Sequence, residues 1–134
     1  MNGEDDEWEK LMGAVVDATK ETFRELVSSG LVLVDVWGPE CRPCFALMPH
    51  VERQAEERPE LTVVKLEAPK ARRLCMELGL LGLPAFLLFR DGQEVGRLGG
   101  QDITPESLQD WLDEATSDTG EQAGTPTSGD GEAR

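Results

Sequence analysis

The sequence predicts an α/β fold in which a central mixed β-sheet carries helices on both faces. Two observations lead to this prediction. Short apolar runs of strand length alternate with longer segments whose apolar residues recur at helical spacing. The last two strand-like runs are separated only by Asp91-Gly92, a dipeptide typical of a tight antiparallel hairpin. The order βαβαβαββα therefore predicts parallel strands first and a hairpin at the end.

The first half of the chain supplies two predicted strands and two predicted helices. Residues 14–16 are a short apolar run, and Thr19 is placed to cap the helix that follows. Residues 31–36 are apolar on both alternating faces, which predicts a central strand covered on each side. A longer amphipathic helix begins after Cys41, and Pro49 within it predicts a kink.

The second half continues the same alternation. Its predicted strands are residues 61–66, 85–90 and 94–98. A short helix over residues 70–78 precedes Gly79, which is suited to ending a helix. Thr104 and Pro105 predict the N-cap and the first position of a final helix.

The composition indicates a globular, acidic protein. The chain has 134 residues, of which 39% are hydrophobic, and this is enough for one core of ordinary size. A formal net charge of -14 argues against nucleic acid or an anionic membrane as a partner. The chain divides into an acidic N-terminal extension (residues 1–13), one folded domain (residues 14–116) and a disordered acidic tail (residues 117–134).

The expected compartment is the cytoplasm. The first residues lack the basic and apolar regions of a signal peptide, and no apolar run approaches the roughly 18 to 20 residues that span a membrane. In a reducing compartment, three cysteines are not expected to form a structural disulfide framework. A C-x-x-C pair therefore indicates redox or metal chemistry.

Cys41 and Cys44 lie three positions apart at the predicted junction between a strand and a helix. Residues i and i+3 at a helix start lie on the same side, so the two sulfurs can meet. Cys41 is at the accessible helix start, where unpaired N–H groups and the helix dipole favour a thiolate. Cys44 is one turn deeper, in register with the apolar stripe. The pair predicts thiol–disulfide exchange, with Cys41 attacking and Cys44 resolving.

Three residues beside or between the two cysteines are expected to tune their chemistry. Glu40 disfavours a thiolate at Cys41, whereas Arg42 and the helix terminus favour one. Pro43 completes the segment between the two cysteines. The sequence leaves the balance of these effects open, and with it the reduction potential and the direction of electron flow.

Asp35 is the one polar residue in the predicted central strand, on the same face as Leu31 and Leu33. An unpaired buried carboxylate costs several kcal/mol, so burial raises the pKa of such a group. A carboxyl group that titrates near neutral pH beside a dithiol is suited to passing a proton to and from the deeper sulfur. The alternative is a structural aspartate at the end of a strand.

The pattern around these residues resembles the thioredoxins. The resemblance lies in Val34-Asp35-Val36-Trp37, Cys41-x-x-Cys44, Pro49, Lys65, Gly79, Gly82-Leu83-Pro84 and Gly100, and it covers roughly residues 14–115. It implies the thioredoxin fold, with Pro84 in a cis peptide bond facing the dithiol. It also implies that Lys65 neighbours and tunes Asp35. The residues that it implies for a substrate-peptide groove beside Cys41 are Trp37, Leu83 (through its backbone), Pro84 and Gly100.

The chain also departs from the usual thioredoxin pattern. Glu40 stands where family members usually carry tryptophan, Arg42 where they carry glycine, and Phe45 at a commonly basic position. These changes remove an aromatic side chain from the docking surface and put a charge on each side of Cys41. The resemblance is therefore to a divergent thioredoxin, whose substrate proteins and partner reductase are left open.

Cys75 and His50 are the remaining candidates for chemistry. We expect Cys75 to pack in the core, with a regulatory thiol as the alternative. We expect His50 to lie on the surface or to cap a helix. Zinc at Cys41 and Cys44 would need two further ligands, and the thioredoxin-like placement leaves Cys75 and His50 badly positioned for that role. Neither a metal nor an organic cofactor is therefore expected.

The cysteine pair and the resemblance together predict a cytoplasmic protein-disulfide reductase and electron carrier. A thioredoxin-reductase-like protein would return electrons to the oxidised pair, and the protein is expected to be a monomer. The alternative is a thioredoxin-fold binding or adaptor module, for example a co-chaperone, whose redox activity is incidental. The replaced tryptophan position favours the adaptor, whereas the combination of both cysteines, Asp35 and Pro84 favours the reductase.

Overall fold

A five-stranded mixed sheet organises the fold. In the computed structural model, which describes residues 15–117, its strands are β1 (Val15–Ala18), β2 (Leu31–Trp37), β3 (Leu61–Glu67), β4 (Ala85–Arg90) and β5 (Gln93–Gly99). Their spatial order is β1-β3-β2-β4-β5. The first three run parallel, β4 is antiparallel to β2, and β5 is antiparallel to β4. This confirms the prediction of parallel strands followed by a terminal hairpin.

The described chain divides between Ile103 and Thr104 into two compact units. All five strands belong to the first unit. The predicted N-terminal extension, and the predicted tail apart from Ser117, lie outside the described residues.

Three α-helices connect the strands of the first unit. They are α1 (Phe23–Leu26), α2 (Arg42–Glu57) and α3 (Arg72–Glu77), and a 3-10 turn over Ala68–Lys70 precedes α3. Pro49 lies inside α2, as predicted. No helix within residues 15–117 combines the length and the apolar character needed to cross a membrane.

The predicted N-cap at Thr19 is wrong, because α1 has its N-cap at Thr22. The Oγ1 of Thr19 instead accepts hydrogen bonds from the N–H groups of Glu21 and Thr22, each at 3.2 Å. The physical reason is a hydrogen-bonded turn before the helix, in which the N–H of Thr22 also donates to the carbonyl of Thr19. Thr19 therefore caps this turn rather than the helix.

One face of the sheet carries a large buried apolar cluster. Successive residues of a strand point to opposite faces, so alternate residues of β2 reach the same side. Those in the cluster are Val32, Val34 and Val36, and they are buried with Phe23 of α1 and Leu74 of α3. Burying side chains of this size stabilises the fold by about 1.5–3 kcal/mol each.

The opposite face of the sheet is covered by α2. Leu33 and Asp35 point to this side of β2, and Asp35 is in register with Lys65 of β3. The Nζ of Lys65 lies 3.3 Å from the Oε2 of Glu52 on α2, which places the helix over this face. Helices therefore cover both faces of the sheet in the first unit, as predicted.

The β4–β5 turn is held in the conformation that a tight hairpin requires. Asp91 and Gly92 have φ values of 51° and 89°, so both adopt left-handed backbone angles. The Oδ1 of Asp91 accepts the N–H of Gly30 at 2.8 Å, and the N–H of Asp91 donates to the carbonyl of Gly30 at 2.9 Å. The hairpin turn is thus tied to the loop that precedes β2.

The second unit contains α4 (Pro105–Ser117). The N–H of Ser107 donates to the Oγ1 of Thr104 at 3.0 Å, and the N–H of Thr104 donates to the Oγ of Ser107 at 2.9 Å. This reciprocal arrangement satisfies two N–H groups at the helix start. It confirms the predicted cap at Thr104, with Pro105 as the first helical residue.

Candidate active site

A disulfide between Cys41 and Cys44 lies at the start of α2. Their Cα atoms are 5.3 Å apart, within the range that a disulfide spans. Cys41 is the N-cap residue, and its Sγ accepts the N–H of Cys44 at 3.2 Å. Cys44 is only 2% exposed, whereas Cys41 is half-buried. A protein partner therefore reaches the sulfur of Cys41 more easily than that of Cys44.

Local sequence explains why the helix begins at this point. Pro43 lies in the first turn of α2, where its missing N–H leaves no hydrogen bond unmade. The N–H of Cys41 donates to the carbonyl of Gly38 at 3.1 Å, which closes the loop between β2 and α2. A Cβ at Gly38 would lie 3.0 Å from the Cδ1 of Leu83, so this loop packs closely against the segment that precedes β4.

The Leu83–Pro84 peptide bond, which joins that segment to β4, is cis. Pro84 is buried, and its carbonyl accepts the N–H of Gly100 at 3.1 Å. This hydrogen bond joins the ends of β4 and β5 beside the loop that carries Cys41.

A groove lies beside Cys41, and its lining comes from four parts of the chain. Residues 38–43, which include Glu40 and Arg42, line the groove on the side where α2 begins. The other lining residues are Pro69, Arg72, Leu83 and Gln101. We refer to these residues together as the Cys41 groove.

Of the four residues that the resemblance implied for the groove, one lines it and three do not. Leu83 lines the Cys41 groove, but Trp37, Pro84 and Gly100 are not among its lining residues. Trp37 is half-buried, and its ring packs against that of Phe45 at a centroid distance of 5.8 Å. Pro84 is buried, and the N–H of Gly100 donates a hydrogen bond to its carbonyl. The groove also contains Pro69, Arg72 and Gln101, which the sequence analysis did not identify.

Asp35 is 1% exposed, and its Oδ2 has no hydrogen-bond partner in the described part of the chain. Burial raises the pKa of Asp35 from 3.8 to about 7, while the charge of Lys65 opposes this rise and that of Glu52 adds to it. The carboxyl group therefore titrates near neutral pH. It lies on the sheet face that α2 covers, and Cys44 is one of the buried residues of α2.

Lys65 is adjacent to Asp35 in the sheet, because the two residues are register partners on β3 and β2. Its ammonium group, however, forms an ion pair with Glu52. Sequence reasoning did not identify Glu52. The only sequence signal for it is its position directly after Val51, one residue beyond the buried stripe of α2.

Cys75 is a free cysteine on α3, and His50 is half-buried in the middle of α2 rather than at a helix cap. Cys75 is half-buried and packs against the apolar cluster, and burial raises the pKa of its thiol. A raised pKa lowers the fraction of reactive thiolate. Among residues 15–117, no three histidine, cysteine or acidic side chains are grouped so that they could hold a metal ion.

The fold and this site define a class of protein. A disulfide at a helix start, with one accessible and one shielded sulfur, is suited to accepting and returning electron pairs by exchange with other disulfides. The fold also has a cis peptide bond before Pro84 and a buried carboxyl group, Asp35, whose pKa is raised to about 7. These features are those of a dithiol–disulfide oxidoreductase.

Comparison with known proteins identifies the family. The thioredoxin family model matches residues 14–114. The thioredoxin of Acetoanaerobium sticklandii is 38% identical over 93 residues, which cover 67% of this chain and 89% of that protein. Spinach chloroplast thioredoxin f in its long form superposes with a TM-score of 0.72 at 28% identity, covering 83% of this chain and 93% of that one. A mutant thioredoxin from Halobacterium salinarum superposes with a TM-score of 0.70 at 26% identity, covering 78% and 93%. The chain belongs to the thioredoxin family.

The predicted family, fold and activity are therefore confirmed. The protein is a thiol–disulfide oxidoreductase of the protein-disulfide reductase type, and its redox-active group is a cysteine pair of the protein itself.

Proposed function

We propose that the protein reduces disulfides of other proteins in two exchange steps at Cys41 and Cys44. The thiolate of Cys41 attacks a substrate sulfur, forms a mixed disulfide and releases the other substrate sulfur as a thiolate. The thiolate of Cys44 then attacks the Sγ of Cys41, releases the second substrate thiolate and closes the Cys41–Cys44 disulfide. Two electrons pass to the substrate. The observation that carries this proposal is the disulfide itself, with Cys41 half-buried and Cys44 shielded.

We assign the proton transfer that the second step needs to Asp35. Cys44 must lose its proton before it attacks, and a shielded thiol cannot deliver that proton directly to water. Asp35 supports this role because its pKa is raised to about 7 and because it faces the side of the sheet that α2 covers. Lys65 and Glu52 act through Asp35, since their charges shift its pKa in opposite directions.

The substrate peptide is proposed to lie along the Cys41 groove and the surface next to it. Leu83 lines the groove, and we extend the binding surface to Trp37, Pro84 and Gly100. Glu40, Arg42 and Pro43 are proposed to tune the reactivity of the pair, because they flank Cys41 or separate it from Cys44.

The remaining parts of the proposal concern the surroundings of the protein. Each cycle leaves the cysteine pair oxidised, so a thioredoxin-reductase-like protein must supply two electrons for the next cycle. We propose that the protein acts in the cytoplasm as a monomer, and that residues 14–116 form the catalytic domain between an acidic extension and an acidic tail.

An assay of insulin reduction, with dithiothreitol as the electron source, tests this function. The wild type is expected to accelerate the reduction, and Cys41→Ser is expected to return the rate to that of dithiothreitol alone, because the attacking sulfur is absent. Cys75→Ser serves as the control and is expected to keep the wild-type rate, since Cys75 packs against the apolar cluster. A wild type without activity would support the adaptor hypothesis, which the exposed Glu40 at the usual tryptophan position favours.

A further inference from the structure

We infer that the Cys41 groove prefers substrate segments that carry carboxylates beside their disulfide, and that Arg72 is the residue that recognises them. This inference rests on the proposed function, because it names the substrate class of the same site. Arg72 is the first residue of α3, which is distant in sequence from the cysteine pair, but it lines the groove together with Cys41.

The guanidinium group of Arg72 is available to a substrate. Arg42 and Arg72 are both exposed, and within residues 15–117 neither forms an ion pair or a side-chain hydrogen bond. Four other cations of the first unit are paired: the acidic partners of Arg24, Lys65, Lys70 and Arg97 are Glu77, Glu52, Glu67 and Glu94. Lys20, Arg53, Arg73 and Arg90 also have no ion pair among the described residues, but they do not line the groove. Arg42 and Arg72 are the two cations that line the groove, and no ion pair neutralises either charge, in a chain whose formal net charge is -14.

Arg72 has no evident structural role that would explain its position. A cation in the first turn of a helix is disfavoured by the helix dipole, so α3 gains nothing from it electrostatically. Arginine is, however, well suited to a carboxylate, because its planar guanidinium group donates two parallel hydrogen bonds to the two oxygens. Arg73 lies in the same first turn, but only Arg72 lines the Cys41 groove, so Arg72 is the arginine of α3 that is placed to meet a substrate carboxylate.

The remaining charge of the groove limits the substrates further. Glu40 lines the same groove and repels a carboxylate, so the lining carries two positive charges and one negative charge. Arg42 also acts on the Cys41 thiolate, because it lies between the cysteines, and a change there would alter both chemistry and binding. Arg72 is outside the pair and can be changed without touching the dithiol.

Three synthetic peptides with one disulfide each test the inference. They are identical except that both residues flanking the attacked cysteine are Glu, Gln or Lys. Each peptide is mixed with the pre-reduced protein, and the second-order rate constant of thiol release is measured. With the wild type we expect the Glu peptide to react about threefold faster than the Gln peptide and the Lys peptide about threefold slower, as exposed ion pairs of this strength imply. The differences should shrink at 0.5 M NaCl, because salt screens exposed charges.

Two variants distinguish recognition by Arg72 itself from a general effect of the protein's net charge. Arg72→Gln is expected to bring the Glu peptide to the rate of the Gln peptide. Arg73→Gln removes the same charge from the next residue, which is exposed but does not line the groove, and it is expected to leave the order unchanged. The rate with the Gln peptide, measured for both variants, reports whether the dithiol is intact.

The outcomes are distinct. If the wild type reduces the Gln peptide but shows no preference for the Glu peptide, the inference is wrong while the proposed function stands. An equal loss of preference in Arg72→Gln and Arg73→Gln would also overturn it, because the effect would then come from net charge. If none of the three peptides is reduced, the proposed function fails and this inference fails with it.

Discussion

Replacement of Cys44 by serine is expected to stop turnover and to leave the substrate covalently attached to Cys41. The first exchange step needs only the half-buried sulfur of Cys41, which the variant retains. The second step needs a sulfur close to Cys41, and Cys44, whose Cα atom is 5.3 Å from that of Cys41, supplies it. Incubation of the reduced variant with oxidised insulin should give a complex on non-reducing gels that dithiothreitol removes.

Two controls make the expected result specific. Cys41→Ser should form no such complex, because Cys44 is only 2% exposed and cannot reach a protein disulfide. The double variant Cys44→Ser with Cys75→Ser should trap substrate as well as the single variant does. A complex that forms in Cys41→Ser, or that disappears when Cys75 is replaced, would contradict the assignment of Cys41 as the attacking residue.

Asp35→Asn is expected to remove the part of the pH dependence of stability between about pH 4 and pH 7 that comes from titration of Asp35. The pKa of Asp35 is about 7 in the folded protein and 3.8 in the unfolded chain. At pH values between the two, folding is therefore accompanied by uptake of a proton. Below pH 3.8 both states are protonated and Asp35 contributes nothing. As pH rises toward 7 the folded state loses stability relative to the variant, and above pH 7 the full penalty of up to about 4 kcal/mol remains.

The measurement is urea unfolding of the oxidised protein at a series of pH values, because the disulfide keeps Cys41 and Cys44 from titrating. The difference in free energy of unfolding between Asp35→Asn and wild type should grow from about pH 4 to pH 7 and then level off. Lys65 of β3 and Glu52 of α2 also bear on Asp35, and both are present in the two proteins. Asp17→Asn, an exposed position on β1, is the matched control. Parallel curves for Asp35→Asn and wild type would contradict a raised pKa.

The fold could be predicted because its signals are local. The alternation of apolar runs located all five strands to within two residues of their ends, and the Asp91-Gly92 turn located the hairpin. Errors arose where a local pattern fits two conformations. Thr19 has a side chain that caps a turn as well as a helix, and residues 70–78 divide into part of a 3-10 turn and a shorter α3.

The site could be predicted only in part, because its residues come from separate segments. Cys41, Cys44 and Asp35 lie in one stretch, and their burial follows from the strand and helix patterns on which they lie. Arg72 and Glu52 reach the site only through the way α3 and α2 pack against the sheet. No spacing in the sequence encodes that packing, so their place beside the Cys41 groove and Asp35 becomes visible only in three dimensions.

The reduction potential of the Cys41–Cys44 pair tests the central claim most directly. Equilibration in defined thiol–disulfide buffers, followed by alkylation of free thiols, gives the oxidised fraction at each potential. We expect a value near that of thioredoxin, about -270 mV, because Glu40 and Arg42 act on Cys41 in opposite directions. A value near about -120 mV, as in strong dithiol oxidants, would mean that the Cys41 thiolate is strongly stabilised. Electrons would then flow toward this protein rather than from it, and the proposed reductase function would be wrong.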